Sequence, residues 1–420
     1  MYDLCIIGGG AAGLSCAITA GRLGLKTLLI DKNNKLGKKL YATGNGRCNL
    51  TNMNFDSKVH FNSSATAYNY FIDSALSNSY SKKTPNQQII EFMSSLGINT
   101  MEDNGYVYPS SAQASSVVWA MLDAIKSYDI NVVQNEEVLS ISGKYPEFTI
   151  KCKNEAFNAA RIVLANGGAA YKSLGGSTSG YQIAKSLGHS VISQRPSLCG
   201  ICVKECLDAV AGVRANAQIK LLDNNSTVVQ TSKGELQITK QGVSGICIFE
   251  LSSKAGRLLE EGINPILDIS FIHSEDNKKY NQILKSIDNI SDCNRTTIGF
   301  LNGYVNDKLA AYICDTNNIS GKSMVSELNK TQLTNLVESL YSLKLHITSL
   351  YDMEQAQVTA GGVNINEINP KTMESLKVPG LYITGELLDI DGICGGYNLT
   401  FAILTGIKAG KSINDKNKSD

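Results

Sequence analysis

The first 31 residues carry a strand–turn–helix–strand pattern that restricts the fold more than any other part of the chain. Residues 4–7 form a short apolar run, which predicts a buried parallel strand. The sequence GGGAAG follows at 8–13 and leads into a helix-like stretch over 11–24 with apolar residues on one side. A second apolar run over 27–30 ends in an aspartate. This order of elements predicts a β-α-β unit of the kind that binds a dinucleotide.

The glycines of this motif have separate expected roles. Gly8 would make the tight turn after the strand, Gly10 would let the backbone approach a pyrophosphate, and Gly13 would let the helix pack on the strand. Asp31, about 20 residues further on, is placed to accept a hydrogen bond from a ribose hydroxyl. The complete pattern favours a bound dinucleotide over a purely structural turn, but it does not by itself separate FAD from NAD.

Composition excludes several other classes of protein. The chain has 420 residues, 43% of them hydrophobic, and a net charge of +1, so we expect no nucleic-acid and no membrane partner. Its beginning lacks the features of a secretory signal, and the 11 cysteines are scattered and odd in number. These observations predict a cytoplasmic protein with reduced thiols.

Three later segments favour FAD over NAD. Residues 381–383 read as a strand followed by Gly385 and Glu386, and an acid in that place can reach the ribityl chain of a flavin. Residues 395–398 begin a helix whose N-terminal N–H groups would stabilise negative charge at the flavin N1–C2 carbonyl region. Residues 161–168 form a strand that ends in a small-residue turn and would return to the cofactor. A glycine-rich turn without a ligand is the alternative.

The stretch GKKLYATGNGRCNLTN at 37–52 resembles the signature of a bacterial FAD-dependent flavoprotein family, which includes the bile-acid enone reductase BaiN and aminoacetone oxidase-like proteins. Further blocks that resemble this family lie at 102–117, 164–189, 234–252 and 356–398. The run Ser197-Leu198-Cys199-Gly200-Ile201-Cys202 departs from it, because more aliphatic residues are expected there.

The resemblance implies an α/β fold in which both chain ends build a Rossmann-like FAD-binding domain, with an inserted antiparallel β-domain that carries a helical subdomain. It also implies that the 37–52 stretch lies along the flavin, with its glycines free of side chains that would collide with the rings. The residues predicted to contact FAD are Gly8, Gly10, Ala11, Ala12, Gly13, Asp31, Lys32, Thr43, Gly44, Gly46, Arg47, Cys48, Asn49, Ala165, Asn166, Gly167, Gly385, Glu386, Gly396, Tyr397, Asn398 and Leu399.

The middle of the chain predicts the insert. Alternating runs between about 191 and 275 indicate antiparallel strands, and helical periodicity follows. We predict an FAD-binding domain over 1–190 and 356–420, a β-domain over 191–275 and 345–355, and a helical subdomain over 276–344. The last ten residues read as a frayed tail.

The expected function is that of an FAD-dependent oxidoreductase. The resemblance favours an NAD(P)H-driven ene reductase, which would saturate an activated C=C of a hydrophobic, steroid- or bile-acid-like enone by hydride transfer from flavin N5. An oxidase of a small amine that produces peroxide and a non-catalytic flavin-binding protein are the alternatives. Candidate catalytic residues are Arg47, Asn49 and Tyr397, and Tyr106, Tyr108 and Tyr171 join Tyr397 as possible proton donors.

No second G-x-G-x-x-G follows a strand, so NADH or NADPH would bind only transiently. The spacing of Cys199, Cys202 and Cys206 is similar to that of metal ligands, but clear partners are missing and we predict no metal. The oligomeric state is left open.

Overall fold

The computed structural model describes residues 1–77, 82–272 and 294–417. The chain divides into two compact units, the first comprising Met1–Arg195 and Val358–Asp420 and the second Pro196–Gln357. Residues 276–293 of the predicted helical subdomain lie outside the described residues, so that part of the prediction stays open.

The first unit contains most of the regular elements. Its helices are α1 (Ala11–Arg22), α2 (Ser57–His60), α3 (Tyr68–Leu76), α4 (Pro85–Ser94), α5 (Ala114–Ser127) and α6 (Ser179–Ser186). Its strands before the second unit are β1 (Tyr2–Ile7), β2 (Thr27–Asp31), β3 (Thr51–Asn52), β4 (Phe61–Asn62), β5 (Thr100–Asp103), β6 (Tyr106–Pro109), β7 (Asn131–Gln134), β8 (Val138–Lys144), β9 (Glu147–Cys152), β10 (Ala156–Leu164) and β11 (Val191–Ser197).

A seven-stranded sheet forms the centre of the first unit. Its order is β7-β2-β1-β10-β9-β8, and a further strand from the C-terminal part of the chain, Leu381–Ile383, pairs with β10. The pairs β1–β2, β1–β10 and β2–β7 are parallel, whereas β9 runs antiparallel to β8 and β10. Strand β2 and the last four residues of β1 are buried, as expected for a parallel sheet that helices cover on both faces.

The second unit is built on a closed, antiparallel barrel. Its strands are β12 (Ile201–Val203), β13 (Arg214–Leu222), β14 (Val228–Ile238), β15 (Gly242–Ser244), β16 (Ile266–Ser270) and β17 (Leu343–Leu350), in the order β12-β15-β14-β13-β16-β17. Its described helices are α7 (Ile246–Glu260), α8 (Thr297–Leu301), α9 (Asp307–Thr316) and α10 (Lys330–Tyr341). The sequence analysis placed residues 246–260 within the antiparallel β-domain and predicted no helix there. They form a helix instead because one face, which includes Cys247, Leu251 and Ala255, is buried in the hydrophobic core of this unit.

The chain then returns to the first unit through β18 (Val358–Val363), β19 (Leu381–Ile383), β20 (Asp391–Gly392) and α11 (Tyr397–Asn417). The helix α11 continues through most of the segment predicted as a frayed tail, and Ile413 is fully buried. Residues 418–420 of that tail lie outside the described residues.

Helix α11 packs closely against α1. The hydroxyl of Ser15 donates to the carbonyl of Ile403 at 3.1 Å, and a Cβ placed on Gly406 would lie 2.2 Å from the carbonyl oxygen of Ala12. Glycine is therefore needed where the two helices cross. This contact brings the C-terminal segment to the N-terminus of α1.

The Rossmann-type parallel sheet and the antiparallel barrel confirm the predicted fold class. Among the helices in the described ranges, none is both long and apolar enough to cross a membrane.

Candidate cofactor site

The turn between β1 and α1 leaves a set of backbone N–H groups open. Gly8 has φ +106°, and Gly10 is the N-cap of α1 without a side-chain hydrogen bond. A Cβ on Gly10 would meet nothing within 4 Å, whereas one on Gly13 would lie 1.8 Å from the carbonyl oxygen of Gly8. The residues Ala11 and Ala12 complete the first helical turn. An uncapped helix N-terminus beside open space can hold a pyrophosphate.

A cavity of about 400 Å³, including space open to solvent, lies next to this turn. Asp31 faces it and is fixed from two sides, since Oδ2 accepts from the N–H of Gly9 at 2.6 Å and Oδ1 from the N–H of Asn33 at 2.7 Å. The cavity is lined by Ile7, Gly8, Ile30, Asp31, Lys32, Asn33, Glu136, Glu137, Val138, Asn166, Gly175, Ser177 and Ser179. Its position, beside the β1–α1 turn and Asp31, suits the adenosine half of a dinucleotide.

Asn166 gives the clearest sign of a missing ligand in this cavity. Its Oδ1 atom is buried and has no hydrogen-bond partner among the described residues. A buried amide oxygen without a partner destabilises the empty protein, and a ribose hydroxyl or an adenine amine would satisfy it. The neighbouring Ala165 is buried, and Gly167 has φ +73° with open space at its Cβ position. The residues present therefore fit the adenosine part of FAD.

Sequence reasoning missed the side of the cavity formed by residues 136–138. Glu136 is buried, and hydrogen bonds from the backbone and side chain of Asn154 lower its pKa. Burial lowers the pKa of Lys32, against the opposing effect of the carboxylates of Glu137 and Asp31. Strand β8 begins at Val138 on the rim of the cavity, but no motif in its sequence marks it as part of the site.

Glu386 joins four segments of the first unit. Its two oxygens accept from the ammonium group of Lys39 at 3.1 and 2.9 Å, and Oε1 also accepts from the N–H of Thr359 at 2.9 Å. A Cβ on Gly168 would lie 2.6 Å from Oε1, so the carboxylate lies directly on that glycine. Gly385 has φ +67° and lies close to Ala12 in α1. Sequence reasoning identified Glu386 but not its partner Lys39.

The loop at 40–49 is tightly turned. Thr43 donates from its hydroxyl to the carbonyl of Leu40, and Gly44 has φ +57° with its Cβ position only 2.8 Å from the N–H nitrogen of Asn49. Gly46 also has a positive φ, +82°. Cys48 is fully buried, and burial raises the pKa of its thiol to about 11. A thiol that stays protonated acts as a packing group and not as a nucleophile.

The loop is held to the N-terminus of α11. With its amide oriented to satisfy both neighbours, Asn49 donates to the carbonyl of Thr51 and accepts from the N–H of Gly396. Asn398 clamps Gly392, accepting from its N–H and donating to its carbonyl, both at 2.8 Å. The structure therefore brings the 43–49 loop and residues 396–398 together. Leu399, in the first turn of α11, is half-buried.

The candidate proton donors and Arg47 lie in different surroundings. Tyr397 is buried, and its hydroxyl donates to the carbonyl of Asn54 at 2.9 Å. The exposed Arg47 guanidinium lies 4.4 Å from the ring centre of Tyr108 and donates to the hydroxyl of Tyr108 at 3.3 Å. Tyr106 stacks beside Tyr108, while Tyr171 lies at the turn after β10 with φ +60°. Of the three candidate catalytic residues, Asn49 and Tyr397 are engaged with the backbone, and Arg47 keeps further N–H donors.

In the part of the chain that the structure describes, no group of three or more His, Cys, Asp or Glu side chains could hold a metal ion. Within the C-x-x-C-x-x-x-C spacing, Cys199 is buried, Cys202 is half-buried and Cys206 is exposed.

The parallel sheet, the uncapped α1 N-terminus and the adjoining cavity are those of a Rossmann-type dinucleotide-binding domain, and the comparisons with known proteins make the protein an FAD-dependent oxidoreductase. The chain belongs to the FAD-binding HI0933-like Rossmann family, and the family's Rossmann-domain model matches residues 2–412. The family resemblance noted in the sequence is thereby confirmed.

Two curated relatives match along nearly the whole chain. The chain is 34% identical over 421 residues to a 3-dehydro-bile acid delta(4,6)-reductase of Clostridium scindens, covering 99% of this chain and 100% of the relative. It is 29% identical over 409 residues to a ribosomal RNA dihydrouridine synthase of Escherichia coli, covering 96% and 95%. Because this second relative is named for an RNA substrate, the prediction that the chain has no nucleic-acid partner is not supported.

A solved structure shares the fold. The 3-ketosteroid delta1-dehydrogenase of Sterolibacterium denitrificans aligns with a TM-score of 0.50 at 11% identity, and the alignment covers 99% of each chain.

Proposed function

We propose that this protein is an FAD-dependent reductase that saturates a C=C bond conjugated to a carbonyl group in a hydrophobic, steroid-like acid. The observation that carries the proposal is the full-length, 34% identity to a 3-dehydro-bile acid delta(4,6)-reductase. FAD, when bound, would supply the hydride from N5.

The second relative supports the same chemistry on a different substrate. Dihydrouridine arises from uridine by saturation of a ring C=C that is conjugated to a carbonyl group, and a bile-acid delta(4,6)-reductase is named for the same kind of bond. The reaction type is thus common to both relatives, while the substrates differ. We choose the small acid because of the higher identity and because a net charge of +1 gives little general attraction to RNA.

The residues of the first unit would divide the work of holding FAD. The N–H groups at the start of α1 would bind the pyrophosphate, and Asp31 and Asn166 would bind the adenosine half. The 43–49 loop and the N-terminus of α11 would flank the flavin ring. The positive end of the α11 dipole would stabilise negative charge there.

The electron donor is proposed to be NADH or NADPH, which would bind, reduce the cofactor and leave before the enone binds. The chain has no second G-x-G-x-x-G motif after a strand and therefore no dedicated nicotinamide domain. This supports a ping-pong order, in which the nicotinamide leaves before the enone binds.

The proposal is tested by mixing the FAD-loaded protein anaerobically with NADH and then with NADPH, while the flavin absorbance near ~450 nm is followed. We expect one of them to bleach the flavin and a 3-oxo bile acid with double bonds at positions 4 and 6 to restore the colour. Bleaching without recovery on addition of the enone would contradict the proposal.

The alternatives give different results in parallel samples. An amine oxidase would be bleached by a small amine and would form peroxide when oxygen is admitted. A ribosomal RNA reductase would recover its colour with unmodified ribosomal RNA and produce dihydrouridine. A non-catalytic flavin protein would respond to none of these.

A further inference from the structure

His60 lies against Tyr397, the first residue of α11, whose N-terminus belongs to the proposed flavin site. Its ring stacks on that of Tyr397, with centroids 4.3 Å apart and an interplanar angle of 18°. Its carbonyl accepts from the N–H of Ile393, and β4, which follows it, pairs with β20. The position of His60 relative to α11 is therefore fixed by main-chain and ring contacts, although its sequence environment gives no sign of this.

The hydrogen bonds of His60 determine its tautomer. Nδ1 accepts from the N–H of Asp56 at 3.0 Å, which requires an unprotonated Nδ1 and places the ring proton on Nε2. Burial lowers the pKa of His60, against the raising effect of the Asp56 carboxylate. At neutral pH the side chain is thus a neutral imidazole with one N–H donor.

This donor is unusual among the polar side chains around the α11 N-terminus. Within residues 1–77, 82–272 and 294–417, Nε2 of His60 has no hydrogen-bond partner, and the ring is only half-buried. Five neighbouring neutral side chains donate within the protein: Tyr397 to Asn54, Asn398 to Gly392, Asn49 to Thr51, Asn52 to Gly395, and Thr400 to Gly396.

We infer that His60 donates a hydrogen bond from Nε2 to the carbonyl oxygen of the substrate. This rests on the proposed function, because hydride addition to a C=C conjugated to a carbonyl moves negative charge onto that oxygen. A neutral imidazole is suited to polarise a carbonyl and to stabilise the resulting enolate without giving up its proton. His60 would then select substrates that carry an oxo group.

The test compares His60→Phe, which keeps the stacking partner of Tyr397 but removes the donor, with His60→Gln, which restores an N–H. FAD-loaded proteins are titrated with a saturated 3-oxo bile acid, which cannot be reduced, and with the same acid lacking the oxo group. Binding is read from the change in the flavin spectrum. Val59→Ala, on the same helix α2 and 64% exposed, is the matched control.

Loss of one hydrogen bond predicts roughly three- to tenfold weaker binding of the oxo acid by His60→Phe. The oxo-free acid should bind His60→Phe and the unaltered protein equally, and His60→Gln should recover part of the loss. Equal binding of the oxo acid by His60→Phe and the unaltered protein would overturn the inference. An equal loss of affinity for both acids would also overturn it, because that result reports a change in packing. So would a change in the affinity of the flavin for sulfite, because that result reports a contact of His60 with the flavin itself.

This result is separable from the proposed function. If the unaltered protein binds the oxo acid and reduces the enone while His60→Phe does so equally well, only the role of His60 fails. If the unaltered protein fails to reduce the enone, the proposed function fails first.

Discussion

Lys39 and Glu386 form an ion pair at 2.9 Å that joins positions 347 residues apart in the sequence. Lys39 belongs to the glycine-rich loop segment, and Glu386 follows β19 at the other end of the first unit. Their side chains are only 30% and 19% exposed, so the pair is partly shielded from water. The pair fixes the loop against the C-terminal segment, and the proposed flavin site is built from both.

Replacing Lys39 with Met should weaken FAD binding. The change leaves the Glu386 carboxylate with the hydrogen bond from the N–H of Thr359 at 2.9 Å and frees the loop from its anchor. A double-mutant cycle with Glu386→Gln should give a coupling energy of about 1 kcal/mol in urea unfolding of the FAD-free protein. Lys38→Met removes the same charge one residue away. It should leave FAD binding unchanged and should show no coupling energy with Glu386→Gln. A coupling energy of zero would show that the pair does not hold the loop.

Asn166→Ala should separate cofactor binding from stability. Because Oδ1 is a buried acceptor without a partner in the described residues, its removal should leave the FAD-free protein equally or more stable. FAD should bind about tenfold more weakly, since the cofactor loses its hydrogen bond. Fluorescence quenching of FAD during titration gives the affinity. Unchanged affinity would remove Asn166 from the site.

Two glycines of the N-terminal motif should respond differently to alanine. Gly13→Ala places a Cβ 1.8 Å from a backbone oxygen, so unfolding free energy should fall by about 1–3 kcal/mol even without FAD. Gly10→Ala has open space and should leave the FAD-free protein as stable as before, while FAD binding weakens. Thermal unfolding with and without FAD distinguishes them. Equal behaviour of the two variants would contradict the assignment of open space beside Gly10 to the pyrophosphate.

Glu367 should make the first unit sensitive to acid. Burial acts to raise its pKa, but hydrogen bonds from Lys377 and Ser190 outweigh this and lower it from 4.5 to about 2. A lowered pKa in the folded state stabilises the protein above pH 4.5, and this stabilisation is lost as the pH falls towards 2. Glu367→Gln should therefore reduce the pH dependence of the free energy of urea unfolding between pH 4.5 and 2. Glu91→Gln, in an exposed ion pair with Lys83, should not.

His189 adds to the acid sensitivity at higher pH. It is buried between Glu367 and Ser375, and burial lowers its pKa despite the nearby carboxylate. Since the folded state binds its proton less readily than the unfolded state, stability should decrease as the pH falls below 6.5. His189→Gln should reduce the pH dependence just below 6.5. A profile identical to that of the unaltered protein would show that His189 does not titrate on unfolding.

Local signals in the sequence were sufficient for the elements that meet at the motif. The β1–α1–β2 unit, the strand before Gly385 and the start of α11 each follow from apolar runs beside glycines. The helix at 246–260 was missed although its buried residues Cys247, Leu251 and Ala255 recur at helical spacing. The tail was missed because its residues are mostly polar, although Ile413 and Asn414 are buried.

Long-range pairs carried no local signal. Lys39 is one of several lysines in its segment, and nothing nearby in the sequence indicates that its partner is Glu386. His60 is similarly isolated, and its importance arises only when β4 pairs with β20 and brings it onto Tyr397. Such contacts depend on the packing of distant elements and require the three-dimensional structure.

The most direct measurement is a single turnover that does not depend on the nicotinamide donor. The FAD-loaded protein is reduced by light in the absence of oxygen, freed of excess reductant and mixed with one equivalent of a 3-oxo bile acid with double bonds at positions 4 and 6. We predict that the flavin absorbance returns within the mixing experiment and that one C=C bond is saturated for each FAD reoxidised. A flavin that stays bleached, together with recovery of the unchanged acid, would contradict the account.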